Sequence, residues 1–471
     1  MARVWIESVG CKVSRADVEA TLARLVDDGH RPAASVAEAD VAVITTCCVT
    51  GEAERSSRQR VRRLRARGLP VVVTGCAVVY RPEQFAEPGT AVVQRSQVGA
   101  AVDGLIHTAQ DAEAGDASTG RDHAVREAPH AALASPDGGG YGEAVGGRVA
   151  GARTRAVLKV QDGCTSACSY CAVRLVRGAP WSLPPDAAER AAAQALQSGC
   201  GEVVVSGINL GLYAGESGRA DAAPPPGTTA SRREASIAGM APVDLAGLIE
   251  RLVELPGLER LRLSSLEPQH VDDRLLRALA HPLVARHLHL PLQSADDGVL
   301  ADMARPYTFT EYLEKLALVR AALPGAMVST DVIVGFPSES GEAFERTLAA
   351  IGESAGLFGR VHVFTFSPRP GTPAAALTPL PAAELRRRRG AAMTAARGAQ
   401  AAAARRLVGR RLDVLVEDRQ EALWRGYSSE YVRCRVQGAA RRGTIVGATA
   451  RRAADGELIC EVATTPSGGP S

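Results

Sequence analysis

The chain has 471 residues, 46% hydrophobic and 23% charged, which excludes a wholly disordered or collagen-like protein and suggests roughly three domains. Its 55 basic and 52 acidic residues leave a net charge of +3, too little to announce a nucleic-acid partner. Lys12, Lys159 and Lys315 are the only lysines and Asn209 the only asparagine. Compositional bias accounts for that, so the arginine count is weak evidence for phosphate binding. No apolar run reaches the ~18 residues of a membrane helix. Met1–Glu7 lacks the apolar core of a secretion signal, so the expected location is the cytoplasm.

Residues 1–107 alternate short β-branched runs with helical stretches. Val4–Ser8, Val41–Thr45 and Val71–Thr74 read as buried strands, and 16–28 and 52–67 as helices. Such alternation predicts βαβ units and a parallel sheet. Residues 108–150, rich in Ala, Gly, Asp and Ser, read as a linker. From 151 to 385 the alternation resumes, with strands at Ala156–Val160, Val203–Ser206, Leu261–Ser264, His287–Leu292, Val328–Val334 and Val361–Phe366. Six strand–helix repeats predict a partial (β/α)6 barrel. Glu216–Ala241 reads as a surface insertion and 386–406 as a basic helix or linker. Within 407–462, Leu412–Glu417, Tyr431–Val436, Gly443–Val446 and Leu458–Val462 read as the strands of a small β-barrel. The fold class is therefore α/β with a C-terminal β-barrel.

Ten cysteines in a reducing compartment point away from disulfides. Cys164, Cys168 and Cys171 follow the first strand of the central region with C-x3-C-x2-C spacing. Three thiolates can hold three irons of a [4Fe–4S] cluster. The fourth iron is then open to chelate S-adenosylmethionine and deliver an electron to its sulfonium. The alternatives are a zinc site lacking a fourth ligand, or three buried thiols. The loop sits at the carboxyl end of a barrel strand, where such barrels keep their active sites.

Cys11, Cys47 and Cys76 each lie just after one of the three N-terminal strands. In a parallel sheet those ends share one edge, so the thiols can converge. Gly10 and Gly75 allow close backbone approach. Three buried free cysteines are the alternative. Cys48 adjoins Cys47, and strand alternation lets only one of the two face the site. Cys200, Cys434 and Cys460 are isolated in sequence and read as core or surface residues.

The cysteine motif with Tyr170 before its last member resembles the radical S-adenosylmethionine superfamily. That likeness implies reductive cleavage to a 5′-deoxyadenosyl radical. Gly10-Cys11-Lys12-Val13, Leu158–Cys171, Ser206-Gly207-Ile208-Asn209, Ser264–Pro268, Pro291–Ser294, Asp331–Pro337 and Arg369–Pro373 resemble the methylthiotransferases. These carry an N-terminal cluster-binding domain, a radical S-adenosylmethionine domain and a C-terminal TRAM barrel. The resemblance implies that Cys11, Cys47 and Cys76 hold an auxiliary [4Fe–4S] cluster carrying the sulfur to be inserted. Gly10-Cys11-Lys12 and Cys47–Gln59 resemble the branch acting on threonylcarbamoyladenosine at position 37 of tRNA. Ser14 and Thr45 depart from the family, standing where asparagine is usual, and Arg15 stands where glutamine is common.

The implied reaction replaces C2–H of that adenine by C2–SCH3. Tyr170, Ser206, Ser265, Glu267, Gln293 and Asp331 are candidates to hold S-adenosylmethionine, with core hydrogen bonding as their alternative. Arg58 and Arg62 on the helix from Glu52, and Trp424, Tyr427, Tyr431 and Arg433 of the last barrel, are candidates for RNA. Interleaved aromatics and arginines suit base stacking and phosphate contact. Expected partners are the tRNA anticodon loop and an electron donor such as flavodoxin or ferredoxin. The same chemistry on isopentenyladenosine tRNA or a ribosomal protein, or a non-catalytic iron–sulfur RNA-binding protein, remain the other readings.

Overall fold

The computed structural model describes residues 1–113, 154–216, 242–352, 354 and 356–462. At the N-terminus β1 (Arg3–Ser8), β2 (Arg31–Pro32), β3 (Val41–Thr46), β4 (Val71–Gly75) and β5 (Thr90–Val92) form a parallel sheet in the order β2-β1-β3-β4-β5. Its alternate residues feed two cores. Val4, Val41, Val43 and Val72 pack under α1 (Lys12–Asp27) and α4 (Val98–Glu113). Ala42, Ile44, Val71 and Val73 pack under α2 (Gly51–Arg65) and α3 (Cys76–Tyr80). Covering both faces is why these strands read as continuous apolar runs. The Thr50 hydroxyl caps α2 by accepting from the Ala53 amide at 3.1 Å. The stretch expected as a linker begins as the end of α4. Its residues 114–150, and 217–241 of the expected insertion, lie outside the described residues.

In the centre β6 (Arg155–Lys159), β7 (Glu202–Ser206) and β8 (Arg260–Leu263) form one parallel sheet. A second holds β9 (His287–His289), β10 (Met327–Val334) and β11 (Arg360–Thr365). Bridges Leu261↔Val284 and Ser265↔His289 join the two halves. The result is a six-stranded open barrel. Leu158, Val203, Val205, Leu261, Leu263, Leu288 and Val332 face the surrounding helices. The alternate positions Lys159, Glu202, Arg260, Arg262, His287 and His289 are buried and polar. By the two-residue period they line the interior. The β9 strand is shorter than the expected 287–292. Pro291 has no N–H for the ladder, and Gln293 takes φ +69°.

Helix α6 (Ala382–Arg405) leads to a closed antiparallel-rich barrel of β12 (Arg411–Gln420), β13 (Leu423–Ser428), β14 (Arg433–Gln437), β15 (Ile445–Ala454) and β16 (Glu457–Val462). The sequence reading missed β13. Gly426 interrupts its pattern, and a Cβ there would lie 1.8 Å from the Leu415 carbonyl oxygen, so only glycine fits. Cys434 and Cys460, far apart in sequence, are core residues: closing the barrel brings both into its interior. Among the described residues, no helix is long and apolar enough to cross a membrane.

Charged side chains fasten this barrel beneath the central one. Glu202 is 1% exposed and pairs with Arg262 at 2.9 Å and Arg260 at 3.1 Å. Arg260 donates to the Asp413 carbonyl at 2.8 Å, and Arg262 to those of Ser428 and Ser429 at 3.2 and 3.1 Å. Arg155 pairs with Glu417 at 2.7 Å.

Candidate active site

In the N-terminal sheet, the registers Ser8↔Thr45 and Thr46↔Gly75 bring the ends of β1, β3 and β4 level. Cys11 precedes α1, Cys47 follows β3 and Cys76 opens α3. The approach is tight. A Cβ on Gly10 would meet the Cys47 Cβ at 3.0 Å, and one on Gly75 (φ +98°) would meet the Thr46 backbone at 2.7 Å. Burial pushes the Cys47 thiol up to about 12, and the charges of Cys11 and Cys76 push the same way. The Ser14 hydroxyl, at a position where the family usually has asparagine, lies 3.6 Å from the Cys11 sulfur. Thr45 Oγ1, at the other such position, is buried without a hydrogen bond.

Cys48 follows the alternation of the strand: it packs with Ala42 and Ile44 in the core under α2 and α3. Cys47 and Cys48 are 3% and 0% exposed. The neighbouring Cys48 thiol, more than the nearby Arg177, lowers Cys76 to about 6 against the effect of its burial.

The second set sits in the loop after β6. Backbone amides of Ser166 and Val173 donate to the sulfurs of Cys164 and Cys171, both at 3.4 Å. Arg305 Nη1 donates to Cys168 Sγ at 3.2 Å, and Asn209 Nδ2 approaches Cys164 Sγ at 4.0 Å. Burial raises Cys171 to about 11. Donors aimed at sulfur favour thiolates and tune iron–sulfur centres. Among the described residues, the donor set compact enough to share a single ion is His289, Asp331 and His362. A cluster places its cysteines on separate irons, so neither thiol set needs that compactness.

A buried ionic network reaches one set from the helix that follows the other. Arg177 ends α5 (Val173–Arg177), the helix after Cys171. Its Nε donates to Cys76 Sγ at 3.1 Å, Nη2 to Asp17 at 2.9 Å and Nη1 to Asp162 at 3.0 Å. Lys159 donates to the same two carboxylates, each at 2.8 Å, and Arg95 to Asp17 at 3.0 Å. Burial opposes ionisation of Asp17. The three cations outweigh it and hold the carboxyl well below its usual range. The helix that follows one cysteine set thus touches the other.

Of the cofactor candidates, Tyr170 lies 3.5 Å from Arg305, which also pairs with Glu267. Ser265 hydrogen-bonds His289 at 2.6 Å. Asp331 Oδ1 accepts from His289 and His362, both at 2.9 Å. Burial would raise its pKa, but these bonds hold it below the usual carboxylate range. Ser206 is fully buried and its hydroxyl makes no hydrogen bond. Gln293 is also buried, at the bend after β9.

Of the RNA candidates, Arg58 and Arg62 line a groove of about 440 Å³ with Arg55 and Gln59. Arg58 also bonds Gln84, and Arg62 bonds Glu87 at 3.1 Å. Trp424 lies under Arg419 at 5.7 Å. Tyr427 stacks on Tyr431 at 5.0 Å and accepts from Arg433 at 3.4 Å. Tyr431 is turned toward the central barrel, with its ring 4.8 Å from that of His287. Sequence reasoning missed Arg177, Arg305 and Asp17. Nothing local marks them in so arginine-rich a chain, and only folding sets the two arginines against sulfur and Asp17 against Arg177.

Residues 158–351 match the family model described as Radical SAM superfamily, and 3–94 match Uncharacterized protein family UPF0004. The chain is 29% identical to the threonylcarbamoyladenosine tRNA methylthiotransferase MtaB of Thermotoga maritima, over 92% of this chain and 91% of that one. It is 32% identical to the MtaB of Bacillus subtilis, over 80% and 76%. It is 31% identical to the tRNA-2-methylthio-N(6)-dimethylallyladenosine synthase of Leptothrix cholodnii, over 80% and 74%. With two cysteine sets on adjoining strand ends and this likeness along most of its length, the chain belongs to the radical S-adenosylmethionine methylthiotransferase family.

Proposed function

We propose that this protein converts C2–H of N6-threonylcarbamoyladenosine, in the anticodon loop of tRNA, to C2–SCH3. Cys164, Cys168 and Cys171 would hold the cluster that binds S-adenosylmethionine, and Cys11, Cys47 and Cys76 an auxiliary cluster. Residues 1–107, 151–385 and 407–462 would be the cluster-binding, radical and RNA-binding domains. The observation that carries this reading is the contact of Arg177, on the helix that follows Cys164, Cys168 and Cys171, with Cys76 and with Asp17 on the helix that follows Cys11. Both sets also fit thiolate-held clusters: their sulfurs take hydrogen bonds from amides and guanidinium groups. When bound, the first cluster supplies the electron for reductive cleavage of the cofactor and the auxiliary one supplies sulfur.

The chain's own residues do the rest. C2–H of adenine is neither acidic nor readily oxidised, so acid–base groups cannot activate it alone. The barrel interior would position the reacting carbon, and the Arg177–Asp17–Lys159 network fixes α1 against α5 and β6. A small redox protein would deliver the electron. In a strain lacking this gene, mass spectrometry of tRNA nucleosides is expected to find 2-methylthio-threonylcarbamoyladenosine absent and its unthiolated precursor accumulated. An unchanged threonylcarbamoyl pool, with loss of the 2-methylthio-isopentenyl nucleoside instead, overturns the substrate assignment.

Arg58 and Arg62 supply part of the phosphate attraction in this proposal. The double substitution Arg58→Gln, Arg62→Gln is expected to weaken tRNA binding at every sequence. It should also reduce the slope of log affinity against log salt by about 2, near 1 per lost phosphate contact. An unchanged slope in a binding titration across salt concentrations rejects that role.

A further inference from the structure

Two cations inside the central barrel lack an anionic partner. Lys12, the first residue of α1, places Nζ 5.4 Å from the centre of the Tyr431 ring. The Arg360 guanidinium, from the start of β11, lies 5.9 Å from the same centre. Among the described residues, neither side chain makes an ion pair or a hydrogen bond.

The other charged groups around this ring are already committed. Arg262, at 4.7 Å, is held by Glu202. Arg155, at 5.8 Å, is held by Glu417 and lies 3.8 Å from Glu202. His289 and His362 share Asp331. His287 is 4% exposed, uses Nε2 on Ser329 at 2.8 Å, and leaves Nδ1 without a hydrogen bond. Four cations thus surround one aromatic ring, and the two nearby glutamates are spent on two of them. Surplus positive charge among largely buried groups is costly unless an anion completes it.

We propose that Lys12 and Arg360 form a carboxylate-binding site in the barrel interior, which takes the threonyl carboxylate of the modified adenine. This rests on the proposed function above. The site would select that acceptor over adenines whose N6 substituent is neutral. Position favours a substituent over a backbone phosphate. Lys12 adjoins Cys11, next to the sulfur-carrying cysteines, whereas the arginine groove on α2 offers phosphate contacts elsewhere. The carboxylate of S-adenosylmethionine is the other source of the same chemistry, and the test separates the two.

The test uses the reconstituted full chain and two synthetic anticodon stem-loops, one with threonylcarbamoyladenosine and one with its neutral primary amide. The readout is the ratio of the two affinities, so a general loss or a phosphate effect cancels. Wild type is expected to prefer the acid, and Lys12→Gln to reduce that preference by about tenfold, one charge-assisted bond. Arg360→Gln should act in the same direction from a position remote from the cysteines, which guards against cluster damage. Iron content and the absorption spectrum report on that damage directly. If wild type prefers the acid and both variants keep the full preference, the site is wrong and the substrate assignment stands. A weakened affinity for S-adenosylmethionine, with the RNA preference intact, also overturns it. If wild type shows no preference for the acid and forms no methylthio product on it, the substrate assignment itself falls.

Discussion

Cys168→Ala protein is expected to lose all reductive cleavage of S-adenosylmethionine, while Cys76→Ala protein keeps cleavage and forms no methylthio product. The split follows from the positions of the two thiols. Cys168 lies in the C-x3-C-x2-C loop, where Arg305 donates to its sulfur and also pairs with Glu267. Cys76 belongs to the other set and is reached by Arg177. In the proposed assignment, removing one thiolate opens one cluster, and the other would retain its three ligands. Anaerobic assays of 5′-deoxyadenosine and of modified RNA measure the two activities separately. Iron and sulfide analysis should find one cluster in each variant. Equal loss of both activities in Cys76→Ala protein, with the first cluster intact, would show that the two sets do not act as separate centres.

Glu202→Gln is expected to cost about 3–5 kcal/mol of stability, because it strips a buried anion from several cations. Glu202 pairs with Arg262 and Arg260, and Arg155 stands 3.8 Å away. The loss should concentrate where the C-terminal barrel docks. Arg260 and Arg262 also donate to the carbonyls of Asp413, Ser428 and Ser429. Burial opposes ionisation of Glu202, but Arg262, Arg155 and Arg260 outweigh it and lower its pKa to about 2. An unfolded glutamate titrates near ~4.3. The unfolded chain therefore takes up the proton first on acidification. The stabilisation is complete above about 4.3 and is lost as pH falls toward about 2. Denaturation of both proteins at neutral pH and down an acid series checks each part. A Glu202→Gln protein as stable as wild type at neutral pH would refute the account.

Much of the architecture was legible because both α/β regions bury their strands. Val41–Thr46 and Val71–Gly75 are buried throughout, since helices cover both faces. The C-x3-C-x2-C set was legible because its ligands are local. Two features were not. The β13 strand hid behind Gly426, which is there because a backbone oxygen leaves no room for a Cβ. The meeting of Cys434 and Cys460 depends on how the barrel closes.

By itself the sequence determined the element types, the local cysteine loop and the three strand ends that carry Cys11, Cys47 and Cys76. Periodicity and spacing are properties of neighbouring residues, so they survive in one dimension. Tertiary structure alone decided that Arg177 reaches Cys76, that Arg305 reaches Cys168, and that Lys12 and Arg360 share one ring. Those contacts join residues separated by long stretches of chain. Which arginine meets a sulfur, a carboxylate or neither is fixed only when strands and helices have docked.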